Sequence, residues 1–289
     1  MEKLIQYRTN ASLYDGGFGG SFGWAAAGMG YIIVSESGKI IVIDGGFGDD
    51  AEEILSLLRE NAPSEIPRVD LWIITHPHFD HYGALRELSA NPKLSDRVTV
   101  GKILYWFPLE FVGKDGNARN LEGTCEQMSK ISAAFNAEEY RPYRGEKLNI
   151  DGLEIEFLFV PDDCSFLNTG GGNANLVSLI FTVKGKNKKV MFTGDAYGRT
   201  MQMTAWRYKG NLACDVLQMP HHGLCDAYNI DFYREVNAKT VLIPISVAGY
   251  REMHGEQYAQ KEGRNHNLWA ENNAESVYKA FEGTVEIEL

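Results

Sequence analysis

Three of the seven histidines in this chain fall within six residues, His76, His78 and His81 of the segment HPHFDH, and Asp80 lies among them. Imidazole is the commonest metal-ligating side chain. In an extended segment, side chains two apart point the same way at roughly 6–7 Å, so His76 and His78 can grip one ion between them. Asp80 and His81 are adjacent and point elsewhere, where they can serve a second ion ~3.5–4 Å from the first, the separation of two-metal hydrolytic sites. Pro77 locks its own φ and restricts His76 before it. The plain alternative is a polar turn whose histidines cap the following helix, but capping does not call for three imidazoles.

Further acids and imidazoles recur where apolar runs end. Asp195 closes KVMFTGD, Asp44 closes KIIVID ahead of Gly45 and Gly46, and His221 with His222 follows DVLQMP. A carboxylate at the end of a buried strand is costly unless it meets a cation or several donors, and a position bridging two metals would satisfy Asp195. Singly, each Asp is more often a turn former than a ligand, and the HPHFDH cluster reverses that. His221 and His222 need separate roles because successive side chains diverge, and Gly223 lets the backbone turn closely there. His254 and His266 have no matching motif and are expected at the surface. Cys125, Cys164, Cys214 and Cys225 show no CxxC spacing and are expected as reduced thiols, none of them a nucleophile. The glycine runs at 16–23 and 169–173 lack the Lys-Ser/Thr ending of a phosphate loop and are expected as loops over the site. Asp162, Asp163 and Cys164 are expected in a turn.

These residues must be held by strands. The chain alternates short strand-like runs with a few helical stretches. YIIVSE (31–36) and KIIVID (39–44) predict a hairpin across Ser37 and Gly38, a helix begins at Ala51, and VDLWIITH, ending at His76, is apolar enough to be buried on both faces. A short helix over 83–89, a strand VTVGKILYW and a helix over 126–135 follow. Tyr105, Trp106 and Phe107 are expected as strand core and inter-sheet packing. A second series contains 152–160, 175–184, 188–195, 215–220 and 240–245, then a helix near 270–282 and a closing strand TVEIEL. Two strand series that carry helices predict an α/β chain with two sheets packed face to face and helices outside.

Together, Asp44, the HxHxDH signature at 76–81, the Gly-Asp at 194–195 and the late histidine resemble the metallo-β-lactamase fold superfamily. The resemblance covers most of the chain and implies an αββα sandwich, one domain over 1–289 with lobes near 1–150 and 151–289. It implies a first metal on His76 and His78, and a second on Asp80, His81 and His222, with Asp195 bridging and Asp44 in support. The family usually adds a third histidine to the first metal, whereas this chain has none from 82 to 220. In that place stands NANLVSLIF, with Asn173, Asn175 and Ser178. This, with the later HHG, is similar to the soluble hydrolase domain of competence DNA-uptake channels and to phosphorylcholine esterases, which implies phosphoester chemistry. Asn175 is then a weak oxygen ligand or substrate contact, or else a strand-start amide. His221 faces substrate or donates a proton to the leaving oxygen.

The expected activity is metal-dependent hydrolysis by an activated water, on a phosphoester or phosphodiester, with Asp80, His221 and Asp44 as catalytic candidates. Zinc in a two-metal site is the expected cofactor, and manganese suits a histidine-poor site. Acyl, thioester or lactam hydrolysis on the same centre and a non-catalytic metal scaffold are the competing outcomes. A diiron oxidoreductase is disfavoured because the usual ligand set and a flavin domain are missing. The 28 basic against 39 acidic residues give a formal charge of −11, which argues against extended nucleic acid or an anionic membrane as partner. A small-molecule substrate is expected, and nothing identifies a protein partner. No run approaches the ~18 uncharged apolar residues of a membrane span, and MEKLIQYRTN lacks a signal-peptide core, so a cytoplasmic location is expected.

Overall fold

The computed structural model describes residues 1–16, 28–108, 121–161, 174–196, 198–224, 229–255 and 266–289, with side chains of the third segment from residue 124. The glycine runs, Asn173, the turn at Asp162, Asp163 and Cys164, and Cys225 lie outside these residues, apart from Gly16. The chain enters through β1 (Lys3–Gln6), β2 (Gly30–Val34) and β3 (Ile40–Asp44), then α1 (Ala51–Asn61), β4 (Arg68–Ile73), α2 (Phe79–Ala90) and α3 (Pro92–Ser95). It continues through β5 (Thr99–Val100), β6 (Lys102–Leu104), α4 (Leu121–Phe135) and β7 (Glu138–Tyr140). Next come β8 (Lys147–Ile150), β9 (Leu153–Phe159), β10 (Ile180–Lys184), β11 (Lys189–Phe192) and α5 (Arg199–Arg207). The last elements are β12 (Val216–Gln218), α6 (Ile230–Val236), β13 (Thr240–Ile243), α7 (Val247–Met253), α8 (His266–Asn273), β14 (Ser276–Lys279) and β15 (Val285–Glu288).

Two mixed sheets result. One runs β15-β1-β2-β3-β4-β6-β7 with β5 also paired to β4, and the other runs from β14 through β13, β12, β11, β10 and β9 to β8. The period-2 alternation of β3 shows why they stack. Ile41 and Ile43 face the inter-sheet core with Phe157, Phe181 and Phe192, whereas Ile40 and Val42 face outward onto Ile54 and Leu58 of α1. The second sheet buries its outer face under α5, α6 and α8 in the same way. Tyr105 and Phe107 join the outer cluster and Trp106 the inter-sheet core, where the Arg141 guanidinium lies 3.3 Å from its ring centroid. Cys125 and Cys214 are not joined to another cysteine among the described residues, Cys125 Sγ lies 3.7 Å from the Phe107 carbonyl, and burial pushes Cys214 up to about 12.

Several boundaries differ from expectation. VTVGKILYW breaks at Gly101, whose Cα packs so closely on Arg68 that an added Cβ would lie 2.6 Å from Nη2, and two short strands pair with β4 in its place. Residues 175–179 do not extend β10; Ala174–Val177 form a 3-10 turn that serves the centre below. The stretch 270–282 is not one helix, because α8 stops at Asn273 and Ser276–Lys279 add a parallel edge strand beside β13. The β-branched and aromatic pair Val277 and Tyr278 fits a pleated edge. The opening residues, which carry no turn signal, pair as β1 between β15 and β2.

Candidate metal centre

The C-terminal ends of β3, β4, β11 and β12 converge at one edge of the sandwich. Beyond β4 the chain leaves the sheet at Ile74, whose N–H bonds Leu104, and delivers Thr75 and His76. His78 occupies the N-cap position of α2 in extended conformation, yet its side chain makes no capping bond. Asp80 sits in the first turn of that helix, where the macrodipole favours a carboxylate.

The turn after β11 is pinned from two sides. Gln218, fully buried on β12, accepts from Thr193 N at 2.7 Å and donates to the Gly194 carbonyl at 3.1 Å, while Asp195 N donates to Ser178 Oγ at 3.1 Å. His221 N donates to the same Gly194 carbonyl at 3.1 Å, so the two ligand loops share a fixed point. His221 and His222 both adopt left-handed backbone, at φ 47° and 55°, a strained conformation worth of order 1–3 kcal/mol per residue. Their rings diverge to centroids 6.2 Å apart.

Two donor clusters form around one carboxylate: Asp80, His81, Asp195 and His222 in one, and His76, His78 and Asp195 in the other. His81 Nε2 faces Asp195 Oδ1 at 3.2 Å and Asp80 Oδ2 at 3.7 Å, and His222 Nε2 faces the same oxygens at 3.5 and 3.2 Å. On the other side His76 Nε2 lies 3.0 Å from His78 Nδ1 and 3.6 Å from Asp195 Oδ2. Ligands ~2.0–2.2 Å from a tetrahedral zinc stand about 3.3–3.6 Å from one another, so these separations suit an ion in each cluster. His81 Nε2, His222 Nε2 and Asp195 Oδ1 are buried without a hydrogen bond, an arrangement that a cation satisfies.

The outer ring nitrogens explain why the Nε2 atoms face inward. His222 Nδ1 lies 2.8 Å from the Pro244 carbonyl, which only accepts, so Nδ1 carries the proton. His81 Nδ1 lies 2.8 Å from Asp44 Oδ2. Asp44 is fully buried, left-handed at φ 56°, and accepts from Thr75 N and Thr75 Oγ1 at 2.8 Å each. It therefore supports the centre from behind and lines no exposed surface. Such partners fix ring orientation and tautomer in metal sites.

The acids and imidazoles of the centre shift one another's protonation. Burial opposes ionisation of Asp80 and Asp195, yet His81 and the neighbouring imidazoles outweigh it and hold both carboxyls well below the usual range. Burial likewise opposes charging His222, but Asp195 and Asp80 push it up to about 10, and His81 is raised for the same reason by Asp195, Asp44 and Asp80. Burial and His81 keep His76 neutral. A dication bound by Asp80, His81, Asp195 and His222 would displace protons from these imidazoles.

His221 and Asn175 stand beside the cluster of His76, His78 and Asp195. His221 Nε2 is 3.8 Å from Asp195 Oδ2 and 3.0 Å from Asn175 Nδ2. Asn175 is 4% exposed. His254 lies apart at the surface, as expected, stacked on Tyr250 with Nε2 3.0 Å from Glu271 Oε2. Thr75, Gln218 and Pro244 carried no sequence signal, since a lone Thr or Gln and a backbone carbonyl have no motif.

Residues 26–243 match the family model described as the metallo-beta-lactamase superfamily. No curated protein matches the chain. Among solved structures, the metallo-beta-lactamase fold protein YhfI from Bacillus subtilis superposes with TM-score 0.56 at 16% identity, over 99% of this chain and 100% of that one. Zn(2+)-bound PqqB from Methylobacterium extorquens gives 0.55 at 10% identity, over 100% of each. A metal-dependent hydrolase of the beta-lactamase superfamily, Tm1679, gives 0.53 at 12% over 99% of each. At these identities the likeness establishes the fold. No helix among the described residues is long and apolar enough to cross a membrane.

Proposed function

This chain belongs to the metallo-β-lactamase superfamily, and from that premise we propose that it hydrolyses a small phosphoester or phosphodiester in a two-zinc centre. His76, His78 and Asp195 would hold one ion, and Asp80, His81, His222 and Asp195 the other. Such a pair, when bound, lowers the pKa of a coordinated water toward ~7 and polarises the bond under attack. Asp80 and Asp195 would hold that water in place. The His221 side chain is 13% exposed, so its ring can exchange protons with solvent and donate to the leaving oxygen. The Asn175 amide holds the ring in place from Nε2.

One observation carries the phosphoester reading. In place of the third imidazole that the family usually adds beside His76 and His78, the chain offers His221 and Asn175, two hydrogen-bonding side chains 3.0 Å apart. A phosphoryl group brings several anionic oxygens that can meet an open metal position and both side chains together, whereas an acyl carbonyl brings one. The test is turnover by zinc-loaded protein of bis-p-nitrophenyl phosphate against nitrocefin and a lactoylglutathione thioester. Faster phosphodiester hydrolysis is expected. Faster acyl cleavage would replace this reading with acyl hydrolysis, and bound zinc with no turnover of any substrate would replace it with a scaffold.

A further inference from the structure

The hydrogen-bond count around Thr75 links the two clusters. Its hydroxyl, in a side chain 1% exposed, lies 2.8 Å from Asp44 Oδ2, 3.2 Å from His76 Nδ1 and 3.5 Å from His81 Nδ1. A hydroxyl has one proton and two lone pairs, and the Asp44 carboxyl already serves as acceptor for Thr75 N on Oδ1, so the geometry has Oδ2 accept the Thr75 proton as well. His81 Nδ1–H is committed to the same carboxylate at 2.8 Å. The lone pair left on Thr75 Oγ1 faces His76 Nδ1, which must then carry a proton and leaves Nε2 bare toward His78 and Asp195.

We propose that Thr75 is a positioning residue through which the single carboxylate of Asp44 orients one imidazole in each cluster, His81 directly and His76 through the hydroxyl. The inference rests on the two-metal reading but concerns how the ligands are set. The site leaves little freedom to the hydroxyl, because the turn after β11 presses on it: a Cβ on Gly194 would lie 2.7 Å from Thr75 Oγ1.

The experiment is calorimetric titration of metal-free protein with Zn2+, with zinc content by elemental analysis and the visible spectrum of the Co2+ form, for wild type, Thr75→Ser and Thr75→Val. Removing a partner that orients a metal-bound histidine costs typically 10–100-fold in affinity. Thr75→Val should therefore weaken one ion by about that factor and leave the other, since His81 keeps its own bond to Asp44, and Thr75→Ser should restore both. Two unchanged affinities in Thr75→Val, equal weakening of both, or no rescue by Ser would overturn the relay while leaving the centre intact. A wild type that binds no ion would instead remove the two-metal reading. Should Thr75→Val not fold, nitrogen-15 spectra of metal-free wild type decide the matter: protonated Nδ1 on His76 is expected, and protonated Nε2 would overturn the proposal.

Discussion

Replacing Gly194 by alanine tests whether the turn that carries Asp195 is as tightly determined as the packing indicates. Gly194 adopts φ +51°, and an ideal Cβ there would lie 2.7 Å from Thr75 Oγ1, 2.8 Å from Thr75 Cβ and 3.2 Å from Ser178 Cβ. The left-handed backbone alone costs a residue with a Cβ about 1–2 kcal/mol. Forcing a methyl into a filled interior adds about 1–3 kcal/mol, so Gly194→Ala should lose about 2–5 kcal/mol. Gly210 supplies the control, since its φ is +80° and nothing lies within 4 Å of its Cβ position. Gly210→Ala carries only the backbone cost of about 1–2 kcal/mol. Chemical denaturation of both metal-free variants measures the difference. The atoms Gly194→Ala would displace belong to Thr75 and Ser178, which hold Asp44 and the Asp195 amide, so zinc content should fall in this variant and not in the control. Equal stability of the two variants, with full zinc in both, would refute the reasoning.

Other expectations separate roles within the centre. His222→Ala should lose one of two bound ions by elemental analysis, whereas His221→Ala should keep both and lose activity by about 10²–10⁴-fold, the worth of a general acid; loss of an ion from His221→Ala would reassign it as a ligand. Chelation should lower the melting temperature, because zinc at a thousand times its dissociation constant stabilises the folded state by about 4 kcal/mol, and an unchanged melt would mean that the clusters hold nothing. The His254–Glu271 pair sets a pH window. The Glu271 bond raises His254, so its contribution is complete below the ordinary His value and fades as pH rises through the raised one. Burial opposes ionising Glu271, but His254 and Tyr250 outweigh it and lower its pKa, so its share is present above the ordinary Glu value and fades as pH falls through the lowered one. Both are present near pH 6, where Glu271→Gln should cost about 0.5–1 kcal/mol after solvent screening, and less at pH 9. Equal losses at the two pH values would remove the pair's role.

What the residues announced in advance and what they concealed divide by the kind of bond involved. The strand-ending acids and the HPHFDH cluster stand out because ionisable groups beside apolar runs need an explanation, and the alternation of β2, β3 and β9 shows which faces pack. The supports were hidden because they are ordinary residues or backbone atoms brought close only by folding. Thr75 precedes the signature but looks like any β-branched strand residue, Gln218 ends an apolar run as a surface residue would, and the acceptor for His222 is the carbonyl of Pro244. The misplaced C-terminal helix has a similar cause. Val277 and Tyr278 gain their strand pairing only from Val241 and Leu242, some 36 positions earlier, and local periodicity carries no trace of that partner.

An anionic substrate and a chain of net charge −11 are compatible because of where the charges lie. Asp44, Asp80 and Asp195 are the carboxylates gathered in the two clusters and their support, so two dications would leave the centre one unit positive. A phosphoryl oxygen within a few ångströms of that centre feels it almost unscreened, whereas surface acids beyond the ~8 Å Debye length at physiological salt contribute little. A small ester is exposed to the first field alone. A polyanion long enough to leave the cleft also meets the net charge of −11 of the chain as a whole, against which backbone contacts gain less from counterion release. If the proposed phosphoester activity holds, substrate size, more than charge, is therefore the property by which this protein should discriminate among such esters.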